Sequence, residues 1–207
     1  MYMQQPRLVH VHASSRGEEF FVICRRSPPA LSLWQAPSVE GEDIAARLVE
    51  QALGVAARKY FRSSERHFPL RHERRCFSVA HSPATTVVVV ADVPIGVDVE
   101  RRLTQQACSD LGWAWSPDER QELLGEVGEE RLSTEIWTAK EAAGKALGVG
   151  LQGMPFAIAS SQSSEAAAHR TIVMSSATES AVSLDSHGIW CGESHLRVAW
   201  RLEGPAL

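Results

Sequence analysis

Hydrophobic and polar positions alternate over short runs in the first part of the chain. Arg7–Ala13, Glu19–Arg25 and Ala30–Gln35 follow a period of two, which predicts strands broken by Gly17 and by Pro28-Pro29. Over Glu42–Tyr60 the period lengthens, and Ile44, Leu48, Ala52 and Val55 fall on one helical stripe. Arg62–Arg75 is polar and interrupted by proline, and reads as a loop. Phe77–Ala80 and Thr85–Ala91 then predict strands, the second a β-branched run suited to burial on both faces. A turn at Asp92-Val93-Pro94 leads into a further strand, Ile95–Glu100.

Helical spacing dominates the stretch after that strand. Ser116-Pro117-Asp118-Glu119 carries a serine at the N-cap, proline at the first turn and glutamate three residues after the cap, a helix start with a mechanism for each residue. A longer helix is predicted over Leu132–Leu147, stopped by Gly148 and Gly150. Strands return at Phe156–Ser160, Thr171–Ser175 and Leu196–Arg201. Strands precede the helix in the first half and helices lie between strands in the second. The chain is therefore expected to be α+β, divided near Asp92 into halves of residues 1–91 and 92–207.

The 207 residues, 44% hydrophobic and 22% charged, can bury a globular core. A net charge of −4 gives no global reason to expect nucleic acid or a membrane as partner. The charge is uneven, however: residues 58–75 hold seven basic side chains against Glu65 and Glu73, and residues 116–135 hold seven acids against Arg120 and Arg131. A basic stretch of that kind suits phosphates or an acidic partner as well as it suits a solvated surface. The four cysteines, Cys24, Cys76, Cys108 and Cys191, have neither zinc-site spacing nor a disulfide pattern. With no signal-like start and no apolar run of membrane-spanning length, a cytoplasmic setting is expected.

Two residue pairs carry candidate chemistry. In Ile95-Gly96-Val97-Asp98-Val99-Glu100 the strand period puts Val97 and Val99 on one face and Asp98 and Glu100 on the other, beside Gly96. Two carboxylates so close repel unless a cation or a proton relieves them, and the glycine invites something to approach the backbone. On the predicted helix, Trp137, Glu141 and Lys145 stand at i, i+4 and i+8. Ile136, Ala139, Ala143 and Leu147 form the apolar stripe beside them. Taken alone, Glu141 and Lys145 fit an ordinary helix ion pair. Gly144 costs the helix about 1 kcal/mol relative to alanine, which implies a close approach there.

Together, Gly96-Val97-Asp98-Val99-Glu100 and Trp137-Thr138-Ala139-Lys140-Glu141-Ala142-Ala143-Gly144-Lys145 resemble the two signature motifs of the 4′-phosphopantetheinyl transferase superfamily. Ala80-His81-Ser82 resembles the segment that precedes the aspartate motif in Sfp-type members. The resemblance spans about Phe77 to Phe156 and, with the chain length, is closest to the longer kind in which two similar α+β halves form a pseudo-dimer around one active site. It implies a monomer that takes coenzyme A in the cleft between the halves. It would pass the phosphopantetheine arm to a serine of an apo acyl, peptidyl or aryl carrier protein and release 3′,5′-ADP.

The resemblance further implies that Asp98, Glu100 and Glu141 bind Mg²⁺ and that Glu141 serves as general base. Lys145 would hold a phosphate oxygen of coenzyme A, and His81 would meet its 3′-phosphate. The family's basic residues near the first helix are replaced here by Val39-Glu40-Gly41-Glu42-Asp43, so Arg66, Arg71 or Arg75 is expected to supply that charge, Arg66 foremost. Ala80 stands where the family usually has serine. Glu119 has two readings at this point, a capping-box residue or a member of the metal and base machinery. A non-catalytic carrier-binding protein of the same fold, and a metal-dependent phosphohydrolase acting on coenzyme A, also stay open.

Overall fold

A computed structural model of the chain describes residues 7–11, 20–24, 31–38, 43–56, 70–124, 129–151, 157–162, 169–174 and 182–201. Arg66, and the predicted strand residues Ala13, Glu19, Arg25, Ala30, Phe156 and Ser175, lie outside them. Strands β1 (Arg7–Val11) and β2 (Phe20–Cys24) pair antiparallel with each other. Strands β3 (Leu31–Pro37), β4 (Leu70–His72), β5 (Arg75–His81) and β6 (Thr85–Ala91) form an antiparallel sheet in the order β3-β6-β5-β4. A second antiparallel sheet runs β7-β11-β10-β9-β8. Its strands are β7 (Ile95–Arg101), β8 (Ile158–Gln162), β9 (His169–Met174), β10 (Val182–Cys191) and β11 (Ser194–Arg201). The fold is α+β, as the periodicities require.

Helix α1 (Ile44–Leu53) starts where Asp43 accepts a hydrogen bond from the Ala46 N–H. It ends at Gly54, whose φ of 70° is the left-handed cap that lets its N–H reach the Glu50 carbonyl. The helix pattern therefore overran its stop at Val55, which continues the stripe beyond the glycine; residues 57–60 lie outside the described residues. Ile44, Leu48 and Val49 bury against Phe77, Val88 and Val90 of the first sheet. The loop expected over Arg62–Arg75 is corrected at its end: Leu70–His72 is a strand paired with β5, and Arg75 opens β5 itself.

β7 joins the two sheets. Val97 and Val99 sink into a core shared with Leu33, Cys76, Val87 and Val89 from one sheet and Leu196, Val198 and Trp200 from the other. The Val97 N–H donates to Ser78 Oγ (3.1 Å), a tie between β7 and β5. The opposite face of β7 meets the long helix. After α2 (Gln105–Asp110), a 3₁₀ turn (Gly112–Ala114) and α3 (Pro117–Leu123), helix α4 (Glu129–Leu147) lies across β7 and β11. Gly96 is what permits this, since a Cβ there would overlap the carbonyl oxygen of Ala142. The close approach expected at Gly96 is thus made by a helix backbone. At Gly144 it is made by the chain itself, for a Cβ would come 2.7 Å from the Gly150 carbonyl oxygen, and Gly150 N–H donates back to Gly144 O (3.0 Å).

Candidate functional site

The contact of β7 with α4 brings Asp98, Glu100, Glu141 and Lys145 together. Asp98 rises from β7 toward the helix and is 6% exposed. Lys145, in the last turn of α4, donates to Asp98 Oδ1 (2.8 Å) and to the Val97 carbonyl (3.1 Å). Asp98 Oδ2 is buried with no hydrogen-bond partner. Glu100 and Glu141 flank this pair. Burial lifts the Asp98 pKa above its ordinary value, against the pull of Lys145. Glu100 is pushed up to about 7, by desolvation first and then by the charges of Asp98 and Glu141. Glu141 is likewise raised by burial and by Asp98. Asp98 raises both glutamates and Glu141 raises Glu100, so the three carboxyls around a single ammonium are a local surplus of negative charge.

That surplus suits a hard cation. Mg²⁺ takes oxygen ligands, needs only one or two carboxylates, and completes its shell with water and substrate phosphates. The buried, unpartnered Asp98 Oδ2 is an oxygen donor of the required kind, and Glu100 and Glu141 are the charges beside it. The residues fit the ion. Among the described residues no three His, Cys, Asp or Glu side chains stand close enough to enclose one as they are.

His81 closes β5 and is exposed, and its charge is felt at Asp98. It lines a cleft of about 600 Å³ with Ser38, Ser82, Thr86 and the start of α1 at Asp43 and Ile44. Ser38 and Thr86 share a hydrogen bond (3.1 Å) on this wall. The sequence patterns do not single out these two hydroxyls, although Thr86 is a polar residue inside an apolar run. Asp43, part of the acidic segment, is occupied by capping α1. Ala80 is in the core shared by the sheets, 3% exposed, so its side chain faces away from the solvent that His81 meets.

Arg71 and Arg75 do not reach this cleft. Arg75 opens β5 and His81 ends it, six residues or about 20 Å along an extended strand. Arg71 pairs in register with Cys76 at the same far end. The expectation that either supplies charge beside His81 is therefore corrected; Arg66 lies outside the described residues.

Glu119 is also decided by its partners. Its Oε2 accepts from the Ser116 N–H (2.7 Å) while Ser116 Oγ accepts from the Glu119 N–H (3.3 Å), the complete capping box of α3. The same carboxylate pairs with Lys140 Nζ (2.7 Å), and its Oε1 accepts from the Ser160 N–H (2.9 Å). Lys140 also donates to the Ile158 carbonyl. Both side chains are fully buried. Glu119 has committed its lone pairs to structure and stands with α3 and β8. Trp137, on the motif's stripe, packs edge-on against Trp115 (6.2 Å between centroids).

A family model for the 4′-phosphopantetheinyl transferase superfamily matches residues 94–199, just over half of the chain. The chain belongs to that superfamily. The match covers β7, α4 and the second sheet, and so contains Asp98, Glu100, Glu141 and Lys145. Phosphopantetheinyl transfer is accordingly its general activity, and coenzyme A, Mg²⁺ and carrier proteins are what the family generally works with. No curated protein matches the chain. No helix among the described residues is long and apolar enough to cross a membrane.

Proposed function

We propose that this transferase is of the Sfp type, a monomer that moves the 4′-phosphopantetheine of coenzyme A onto a serine of an apo acyl, peptidyl or aryl carrier protein. The observation that carries the reading is the crowding of Asp98, Glu100 and Glu141 around Lys145, where the strand motif meets the helix motif. Coenzyme A would lie between the halves 1–91 and 92–207, with its diphosphate at Asp98 and its 3′-phosphate toward His81.

Asp98, Glu100 and Glu141 would hold Mg²⁺. When bound, the ion neutralises charge on the phosphoryl oxygens. The chain's own groups do the rest. Lys145, already bonded to Asp98 and the Val97 carbonyl, turns its third N–H to a diphosphate oxygen and offsets charge on the departing group. Glu141 takes the proton of the carrier serine directly or through one water. The serine oxygen bonds to the β-phosphorus, and the bond from that phosphorus to the bridging oxygen breaks. The products are holo carrier protein and 3′,5′-ADP.

Incubation with apo carrier protein, coenzyme A and Mg²⁺ tests this by intact mass. A phosphopantetheine gain on the carrier is expected in the wild type and absent in Asp98→Ala and Glu141→Ala, both still folded by circular dichroism. An active Asp98→Ala protein would refute the assignment. Cleavage of coenzyme A without a carrier would point instead to a phosphohydrolase, and binding of carrier with no mass gain to a non-catalytic protein.

A further inference from the structure

A second polar constellation lies under the first half of α4, one strand inward from the carboxylates. In the register of the second sheet Arg197 stands opposite Asp98, and His195 opposite Glu100. Their side chains belong to a separate electrostatic neighbourhood. Arg170 and Glu135 act on Arg197, whereas Lys145, Glu141 and His81 act on the carboxylates. Arg197 is fully buried. Its Nη1 donates to Ser186 Oγ (3.1 Å), while Nε and Nη2 find no acceptor. Those two donors point the same way, forming the side-on edge of the guanidinium, which matches the two oxygens of a carboxylate. Leaving such an edge buried and unpaired is costly.

The surroundings are built to keep that edge in place. Gly188, in register with Arg197 on β10, makes the room: a Cβ there would come within 2.6 Å of Arg197 Nη2 and of the His195 ring. His195 Nδ1 lies 2.7 Å from Thr138 Oγ, whose own hydrogen goes to the Thr134 carbonyl (2.9 Å). The hydroxyl therefore accepts from Nδ1–H, and burial with three nearby arginines favours the neutral ring. Arg197 and His195 wall a cavity of about 290 Å³ together with Arg131, Glu135 and Trp190. Glu135 receives the Trp190 indole N–H (2.7 Å) and lies 3.5 Å from Arg131 Nε. It makes no hydrogen bond to Arg197. Two guanidiniums against one carboxylate leave one positive charge facing the cavity.

We propose that this cavity is a binding site for a small monocarboxylate, gripped by the side-on edge of Arg197, assisted by Arg131 and separate from the coenzyme A site. The charge balance favours a monoanion over a phosphate dianion, and two parallel donors favour a planar carboxylate over a spherical ion.

The test titrates sodium butanoate into the full-length protein at constant ionic strength against sodium chloride, with Trp fluorescence and melting temperature as readouts. Saturable binding is expected in the wild type. In Arg197→Met it weakens by at least about tenfold, the worth of lost hydrogen bonds to a charged group. In Arg131→Ala, an exposed position whose loss leaves the core intact, it weakens by about threefold, as a surface charge should. Inorganic phosphate is the third titrant, and tighter binding of phosphate than of butanoate would overturn the carboxylate assignment. No saturable binding, or equal affinity in wild type and Arg131→Ala, would overturn the site.

Discussion

Helix α4 carries two lysines five residues apart, and each meets a carboxylate at nearly the same distance. Lys140 pairs with Glu119 at 2.7 Å and Lys145 with Asp98 at 2.8 Å. The first pair is fully buried, and each oxygen of Glu119 already has a backbone donor besides the lysine. The second keeps 16% of the lysine side chain exposed, leaves Asp98 Oδ2 without a partner and has Glu100 and Glu141 beside it. A completed ion pair holds α3, α4 and β8 together. An incomplete one, with more negative charge than its lysine can offset, has capacity left for a ligand. Distance does not distinguish the two pairs on this helix; the number of unsatisfied groups does.

Removing one member from each pair breaks the comparison most sharply. Glu119→Ala is expected to cost about 3–5 kcal/mol in urea unfolding, because it strands the Lys140 charge in the core. Replacing both partners, as Glu119→Leu with Lys140→Met, should recover much of that loss. Lys145→Met should cost less, about 1.5–3 kcal/mol for a charged hydrogen bond at a partly open site. On the proposed function, Mg²⁺ should raise the melting temperature of Lys145→Met more than that of the wild type, since it then supplies the missing positive charge. Equal shifts would separate the lysine from the ion's place.

Ser116→Ala isolates the capping half of the Glu119 network and should cost about 1 kcal/mol by the same unfolding measurement. The smallest effect is in pH. A carboxyl whose folded pKa is raised binds more protons folded than unfolded, so its stabilising contribution is present at low pH and lost as pH rises. For Glu100 the loss runs from its ordinary value of 4.5 through about 7. Because Glu100 is half-buried, solvent screens the loss to a fraction of its full linkage value. His195 acts in the opposite sense below its ordinary pKa, since its folded value is lowered. The measurement is therefore the difference between wild type and Glu100→Gln in EDTA: wild type should lose ground as pH climbs from 4.5 to 7. A constant difference would show that neither burial nor the neighbouring carboxylates raise the Glu100 pKa.

Legibility along the chain depends on how well local pattern agrees with burial. Thr85–Ala91 reads as a buried strand because it is apolar throughout its centre and lies inside the sheet. Val182–Cys191 does not, because its buried positions include Asp185, Ser186, His187 and Gly188, all but the glycine polar, and Ser186 finds its partners in Arg170 and Arg197, distant in sequence. It is the central strand of the second sheet, yet its composition is that of a loop. At the site, Asp98, Glu100, Glu141 and Lys145 were readable from two periods and a family resemblance. Ser38, Thr86 and Arg197 were not, since each acquires meaning only from residues far away along the chain.

Period two along β7 and period 3.6 along α4 settle which side chains share a face, because backbone geometry alone imposes those repeats. The Ser116 and Glu119 capping box belongs to the same local order. Which lysine is sealed in a core and which stays partly exposed is another matter. That depends on where α3, β7 and β11 come to rest against α4. Only the folded chain brings Glu119 to Lys140 and Asp98 to Lys145, and only burial there lifts the pKa values of Asp98, Glu100 and Glu141 above their ordinary range.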